Sequence, residues 1–389
     1  MKSFAQIVRA VARWLGATVL WAMVAAPVWA ASATSPAVCA WPAWQAFQRG
    51  FVSPEGRVID VGSAQSITTS EGQSYALFFA LVEGDRATFD RLLSWTVNNL
   101  AQGDLTAHLP AWLWGKKDGG GWGVLDTNSA SDSDVWIAYT LLEAGRLWQD
   151  RRYQALGTLL ARRIVREETA RLPQLGPTLL PAPVGFTLGA DRWRLNPSYV
   201  PLPVMRRLAA VLPKSDWPAL ADSSLRLMLD SAPKGIAPEW IEYHSGRGFV
   251  RDAQTGGEGS YNAIRVYLWA GMTAPEDPAQ ARLLARFMPL FSHIAQRGAV
   301  PEKAQADTGA LSDNNGFAGF SAAWLPFAAS AGRPDVVARL QQHIDTQNAA
   351  SPPGYYNRVL TLFGRGWIEG RYRFAADGRL LRARNPSCA

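Results

Sequence analysis

Cysteine and histidine are scarce in this sequence, with two and four residues in 389. Cys39 and Cys388 stand near opposite ends, so they can form at most one bridge, between the termini, in an oxidising compartment. His108, His244, His293 and His343 are widely separated and belong to no HxxxH or CxxC pattern, which predicts no structural or catalytic transition metal. Charge is sparse too, at 18% of residues, with a formal balance of +7. Lys2, Arg9 and Arg13 account for three of those positive charges, and the remaining lysines and arginines are scattered rather than clustered. That distribution predicts no nucleic-acid partner. Neither a GxxxxGK[ST] loop nor a strand-borne GxGxxG occurs, so no cofactor is expected.

Long apolar runs are missing except at the start. Trp14 to Ala26 is apolar, follows the three basic residues and leads into Val28-Trp29-Ala30, whose small residues suit a signal peptidase. The run stops at Pro27, short of the roughly 20 residues that cross a bilayer, and polar Ser32, Thr34 and Ser35 follow. Residues 1–30 therefore read as a cleaved signal, with a membrane anchor as the alternative, and the mature chain as periplasmic or secreted. No convincing Pro/Gly/Ser linker interrupts residues 31–389, which are expected to form one domain.

What the sequence has in quantity is helical periodicity. In Asp85–Leu100 the apolar positions Phe89, Leu92, Leu93, Val97 and Leu100 fall on one face, with Asp85 placed to cap the start. Comparable segments are 135–148, 153–164, 204–212, 220–229, 279–291, 320–331, 335–344 and 356–363. Alternating runs such as Phe186–Leu188 and Arg371–Phe374 are few and short. The chain is predicted to be all-α. Residues 135–142 are apolar nearly all round, as in a helix buried between two layers. About ten to twelve helices would suit antiparallel hairpins closed into a double ring.

Aromatic residues make up 11% of the chain, and several tryptophans fall between the helical segments: Trp112, Trp114, Trp122, Trp193, Trp240 and Trp367. An indole offers an apolar face and one N–H donor, which matches the apolar faces and hydroxyl edges of a sugar ring. Each alone is more readily a packing residue; the set predicts a carbohydrate cleft. Gly119-Gly120-Gly121-Trp122-Gly123 is read as a turn beside that cleft.

Three segments carry carboxylates or amides among aromatic and small residues. In Thr68-Thr69-Ser70-Glu71-Gly72-Gln73-Ser74-Tyr75, Thr68 and Glu71 have the spacing of a capping box, which would tie Glu71 to a backbone N–H. The competing reading makes Glu71 a partly desolvated acid whose raised pKa suits it to protonate a leaving oxygen. In Ala130-Ser131-Asp132-Ser133-Asp134, only one aspartate can cap the following helix, leaving the other for a substrate or a water. In Tyr261-Asn262-Ala263-Ile264-Arg265, Arg265 would lie beside Asn262 on a helix, holding an amide or carboxylate, or else be a solvated surface residue.

These segments, with Asn196-Pro197-Ser198-Tyr199 and Gly364-Arg365-Gly366-Trp367-Ile368-Glu369-Gly370-Arg371-Tyr372, occur in the order seen in glycoside hydrolase family 8, which the chain resembles over its mature length. Within that family the likeness is to periplasmic endoglucanases that accompany bacterial cellulose synthases. The resemblance implies an (α/α)6 barrel with an acidic cleft at one end, cleavage of β-1,4-glucan with inversion, and a monomer working on cellulose near a synthase or export complex. It implies that Glu71 is the proton donor, Asp132 the second active-site carboxylate, and Asp134 structural. Trp112 and Trp114 match the position of an aromatic sugar platform, and Tyr199 and Arg265 match cleft positions. Many members carry Asp at the position of Asn262, where it activates water, and an amide cannot take that proton. The base is then Asp132, or another carboxylate such as Asp252 or Glu258, or the enzyme is slow. With Asp132 as base, inversion predicts about 6.5–9.5 Å between it and Glu71. The alternatives are a hydrolase of chitosan or xylan, and a catalytically weak glucan-binding accessory protein.

Overall fold

The structure is a computed structural model describing residues 40–350 and 354–382; the leader 1–30, Cys39 and Cys388 lie outside them. Twelve α-helices occur among the described residues: α1 (Pro42–Phe51), α2 (Ser70–Glu83), α3 (Arg86–Leu100), α4 (Ser131–Leu147), α5 (Arg151–Glu167), α6 (Leu202–Val211), α7 (Trp217–Asp230), α8 (Ile264–Met272), α9 (Ala279–Arg297), α10 (Ala318–Ser330), α11 (Pro334–Ala350) and α12 (Tyr355–Ile368). Burial sorts them by parity. α2, α4, α8 and α10 are buried nearly all round, and α6 and α12 over much of their surface. Of the odd-numbered helices α7 is also buried over much of its surface, beneath neighbouring strands, while the others bury one stripe, as α5 does with Tyr153, Gly157, Leu160, Ala161 and Ile164.

Each even-numbered helix packs on the next, from α2 through α12, and each has an odd-numbered helix on its outer side. Phe363 of α12 closes the inner ring against α2, with ring centroids 5.0 Å from Tyr75, 5.6 Å from Phe78 and 4.7 Å from Phe79. Trp136 of α4 fills the axis, meeting Tyr75, Phe78, Trp269 and Phe363. This double ring is the expected (α/α)6 barrel. Because every inner helix returns through an outer one, the inner helices run in the same direction and their N-termini gather at one end.

The periodic segments match helices, with α4 beginning earlier, at Ser131, because Ser131-Asp132-Ser133-Asp134 is polar yet helical. α1 carried no clear signal; its Trp44 and Phe47 anchor it, and Pro42 starts it. Thirteen strands of two to five residues among the described residues decorate the barrel, too short to show an alternating pattern. The sheet that matters for the site is antiparallel: β1 (Thr68–Thr69), β2 (Leu113–Lys116) and β3 (Trp122–Asp126), with Thr68 opposite Trp114. Gly120 and Gly121, at φ of +86° and +79°, form the turn between β2 and β3. At the far end, the hairpin of Tyr372–Phe374 and Leu380–Arg382 covers the C-termini of α2 and α4, through Arg382 to Leu81 O and Arg146 to Leu380 O. No helix among the described residues is long and apolar enough to cross a membrane.

Candidate active site

Of the two readings of this segment, the capping box between Thr68 and Glu71 does not form, because the cap lies one residue later. Thr69 is the N-cap of α2, its hydroxyl accepting from Gly72 N at 3.1 Å, while Thr68 lies in β1 and donates to Val58 O. Glu71 is thereby free of its own helix. It sits in the first turn, with a fifth of its side chain (21%) still exposed. Ser70 N pairs with Trp112 O at 3.0 Å, which joins the acid's helix to the aromatic strand. Gly72 keeps the turn close to α12, since a Cβ there would lie 2.6 Å from Tyr355 Oη. Buried Gln73 braces it from behind, accepting from Val58 N at 2.6 Å and donating to Thr96 Oγ1 at 2.9 Å.

Arg265, in the first turn of α8, links three inner helices. Its Nη1 donates to Glu71 Oε2, to Tyr75 Oη at 2.9 Å and to Asp132 Oδ2 at 3.0 Å. Its Nη2 donates to Ser198 Oγ at 3.1 Å and Asn262 Oδ1 at 2.9 Å. Only 1% of the Arg265 side chain is exposed, so of the two readings of its residue type it is the one that holds carboxylates and an amide, from behind the cleft surface, and not a solvated surface residue. Burial pushes the Glu71 carboxyl up to about 7; Arg265 opposes the shift and the Asp132 carboxylate adds to it. With one proton on Glu71, the buried set of Glu71, Asp132 and Arg265 is neutral overall, which is the state burial favours.

The proposed spacing fails for Asp132. Glu71 and Asp132 reach the same guanidinium nitrogen and are in hydrogen-bond contact with each other, so no water and sugar carbon fit between them. Asp132 is not the water-activating base of an inverting site built with Glu71. The other two named carboxylates are also engaged elsewhere. Asp252 is buried against Arg194, 2.8 Å from Nε, and Glu258 pairs with Lys303 at 3.2 Å.

On the other arm of Arg265 stands Asn262, half-buried, its Nδ2 donating to Glu239 Oε2. Glu239 also accepts from Ser260 N at 2.6 Å, Asn262 N at 2.9 Å and Ala263 N at 3.3 Å. Sequence reasoning missed this glutamate: it lies 23 residues before Asn262, between Pro238 and Trp240, in no motif. Asp134, expected to be structural, is fully buried beside Glu168, and neither of its oxygens meets an N–H or hydroxyl donor. Two carboxyls can hydrogen-bond only by sharing a proton, and burial pushes Glu168 up to about 8 and Asp134 well above its usual range.

Aromatic groups flank the carboxyls on both sides. Trp112 is half-buried beside α2. The Trp114 ring is engaged by Trp95 at 5.3 Å, by Trp122 at 5.4 Å in a near-parallel stack, and by Arg57 at 4.3 Å. Trp114 is therefore a support rather than an open platform, and the exposed ring is Trp122, at 52%. On the other side, Tyr199 lies 5.6 Å from the Arg265 guanidinium and 6.0 Å from Trp240, which stacks on Phe186. Trp193 and Trp367 are buried; Trp367 belongs to α12 and packs on Phe374, so neither lines a cleft. Beside Trp112, a cavity of about 540 Å³ is lined by His108, Asp126, Asn128, Ser129, Glu167 and Val184.

A proton-holding carboxyl at the mouth of an α-helical double ring, between aromatic walls, is the build of a polysaccharide-cleaving hydrolase. The chain belongs to glycosyl hydrolases family 8, whose sequence pattern matches residues 17–370. It is 49% identical over 346 residues to an endoglucanase of Salmonella typhi, covering 89% of this chain and 91% of that protein. It is 47% identical over 353 residues to an endoglucanase of Escherichia coli K12, covering 91% and 94%. The crystal structure of an endo-1,4-D-glucanase from Vibrio fischeri superposes with a TM-score of 0.85 at 48% identity, over 88% of this chain and 99% of that one.

Proposed function

We propose that this protein is an endo-1,4-β-glucanase that cuts internal bonds of glucan chains with inversion at the anomeric carbon. The observation that carries the reading is Glu71: a carboxyl raised to about 7, still open to the cleft, between an anion and a buried guanidinium. Protonated, it donates to the glycosidic oxygen as the bond breaks. Asp132 keeps the proton on Glu71 in the resting site by charge repulsion. Asn262, on the opposite arm of Arg265, orients the attacking water through its free amide hydrogen and oxygen lone pair; the water adds to the oxocarbenium-like carbon and its proton passes to solvent water, since the amide cannot take it. Trp112, Trp122 and Tyr199 hold the sugar rings on either side, with the cavity beside Trp112 taking further units.

The test is Glu71→Gln, which keeps the shape and removes the transferable proton. Reducing-sugar release from carboxymethylcellulose should fall about 10²–10⁴-fold while cello-oligosaccharide binding persists. Release from chitosan or xylan only would replace glucan as the substrate, and proton NMR of fresh products should show inverted anomers. Asn262 favours a second reading, a weak glucan-binding accessory protein; under it, Glu71→Gln leaves the already low turnover unchanged. The domain extent, 31–389 after removal of 1–30, periplasmic location, monomeric state and action alongside a cellulose synthase or export complex belong to the same proposal.

A further inference from the structure

The carboxamide of Asn262 lies between two ions that dictate its orientation. Glu239 Oε2 can only accept, so Asn262 must present Nδ2 to it; Arg265 Nη2 can only donate, so Asn262 must present Oδ1. Glu239 is itself immobilised by the backbone N–H groups of Ser260, Asn262 and Ala263. An aspartate at this position would turn a carboxylate toward a carboxylate, and the two would have to share a proton. We propose that Glu239 is the positioning residue of the water site, and that Asn262 is the partner it requires: positions 239 and 262 form a matched carboxylate–carboxamide pair. This deepens the reading of Asn262 as the residue that holds the attacking water, and rests on it.

The groups facing the pair define what else can titrate there. Arg265 faces Asn262 and carries Glu71 and Asp132 on its other arm. The phenols of Tyr267 and Tyr356, which feel the Glu239 charge, are both pushed upward by burial and stay neutral at working pH. The pair is therefore the seat of any new titration when position 262 becomes acidic.

Three variants separate the possibilities. In Glu239→Gln, the introduced carboxamide keeps one oxygen for the backbone N–H groups but points an N–H at Asn262 Nδ2, so the Asn262 amide must turn its donors toward Arg265. Hydrolysis should lose roughly tenfold to a hundredfold in kcat with KM unchanged. In Asn262→Asp, the two carboxyls share a proton, so the new base ionises only at raised pH and the rate rises late on the acid side. In the exchange Glu239→Gln with Asn262→Asp, the donor–acceptor pairing is restored with the charge moved to the water side. The rate should then recover to or above the starting level, with an acid limb in the ordinary carboxylate range.

Carboxyl ¹³C NMR of the single variant Asn262→Asp and of the exchange gives the same comparison without activity. The carboxyl introduced at position 262 should titrate at least about one pH unit higher when Glu239 is present, as expected of two carboxyls sharing a site. Coincident titrations of that carboxyl in the two proteins would overturn the proposal, as would a Glu239→Gln enzyme with unaltered kcat and pH profile. Thermal unfolding of each variant separates loss of positioning from loss of fold. Absent hydrolysis in the unmodified protein would sink the assigned function, while the titration comparison would still decide the pair.

Discussion

Glu71 keeps its proton because burial and Asp132 together outweigh Arg265. The donor form is present below about 7 and lost above it, so kcat/KM should fall on the alkaline side with a midpoint near 7. Asp132→Asn removes the repelling anion and leaves Arg265 to stabilise ionised Glu71; the alkaline limb should move to lower pH, as a pH series of kcat/KM would reveal. A limb that stays in place would mean Asp132 does not govern the acid. Glu71 as a candidate was legible from a carboxylate at a helix mouth among aromatics. Its pairing with residues 61 and 194 positions later in the chain was not, because ion pairs across a barrel leave no local pattern.

At the level of the elements, the first turn of α4 is held by acids rather than caps. Asp132 Oδ1 accepts from Ser133 N at 2.8 Å, and Asp134 shares a proton with Glu168 at the end of α5, which Ser129 also holds. Asp132 and Glu167 are the other charges that face this pair. Glu168 is raised from 4.5 to about 8, so the folded state binds an extra proton between those values and stability falls as pH rises through them. The loss is on the order of 1 kcal/mol for each pH unit crossed. Glu168→Gln can donate to Asp134 without titrating, and urea unfolding at pH 6 and 8.5 should show a shallower fall, with Asp134 and Glu71, both raised by burial, supplying the remainder. Helix contact is equally specific: a Cβ on Gly364 of α12 would lie 2.0 Å from Ala322 O of α10. Gly364→Ala should destabilise by roughly 1–3 kcal/mol in the same assay.

Over the whole molecule, the closed ring has one working end and one sealed end. The seal centres on Glu143, fully buried in α4, which accepts from Arg207 Nε at 2.6 Å and Leu380 N at 2.8 Å and also pairs with Arg146. Tyr139 Oη adds a bond to Gly378 O at 3.0 Å. The C-terminal hairpin is thus tied to α4 and α6 beneath the core. Glu143→Ala would leave Arg207 and the hairpin without their common acceptor, at a cost of roughly 3 kcal/mol, moderated because Arg146 is a third exposed. Calorimetry should record a lower unfolding temperature. Because the seal and the site are at opposite ends, kcat at 25 °C should hardly change.

Helical periodicity, the buried character of residues 135–142 and the clustering of acids with aromatics are local properties. They determined the all-α class and most helix positions and made Glu71, Asp132 and Asp134 candidates; the resemblance to the family, not local chemistry, chose among them. Which aromatic rings stay open, which carboxyl lies beside which, and what holds Asn262 were decided only by ring closure. Closure brings the N-termini of α2, α4 and α8 to one point, where Arg265 fixes Glu71 against Asp132 on one arm and Asn262 on the other. Contacts between helices that far apart in the chain obey packing and charge balance in three dimensions, and no spacing along the sequence encodes them.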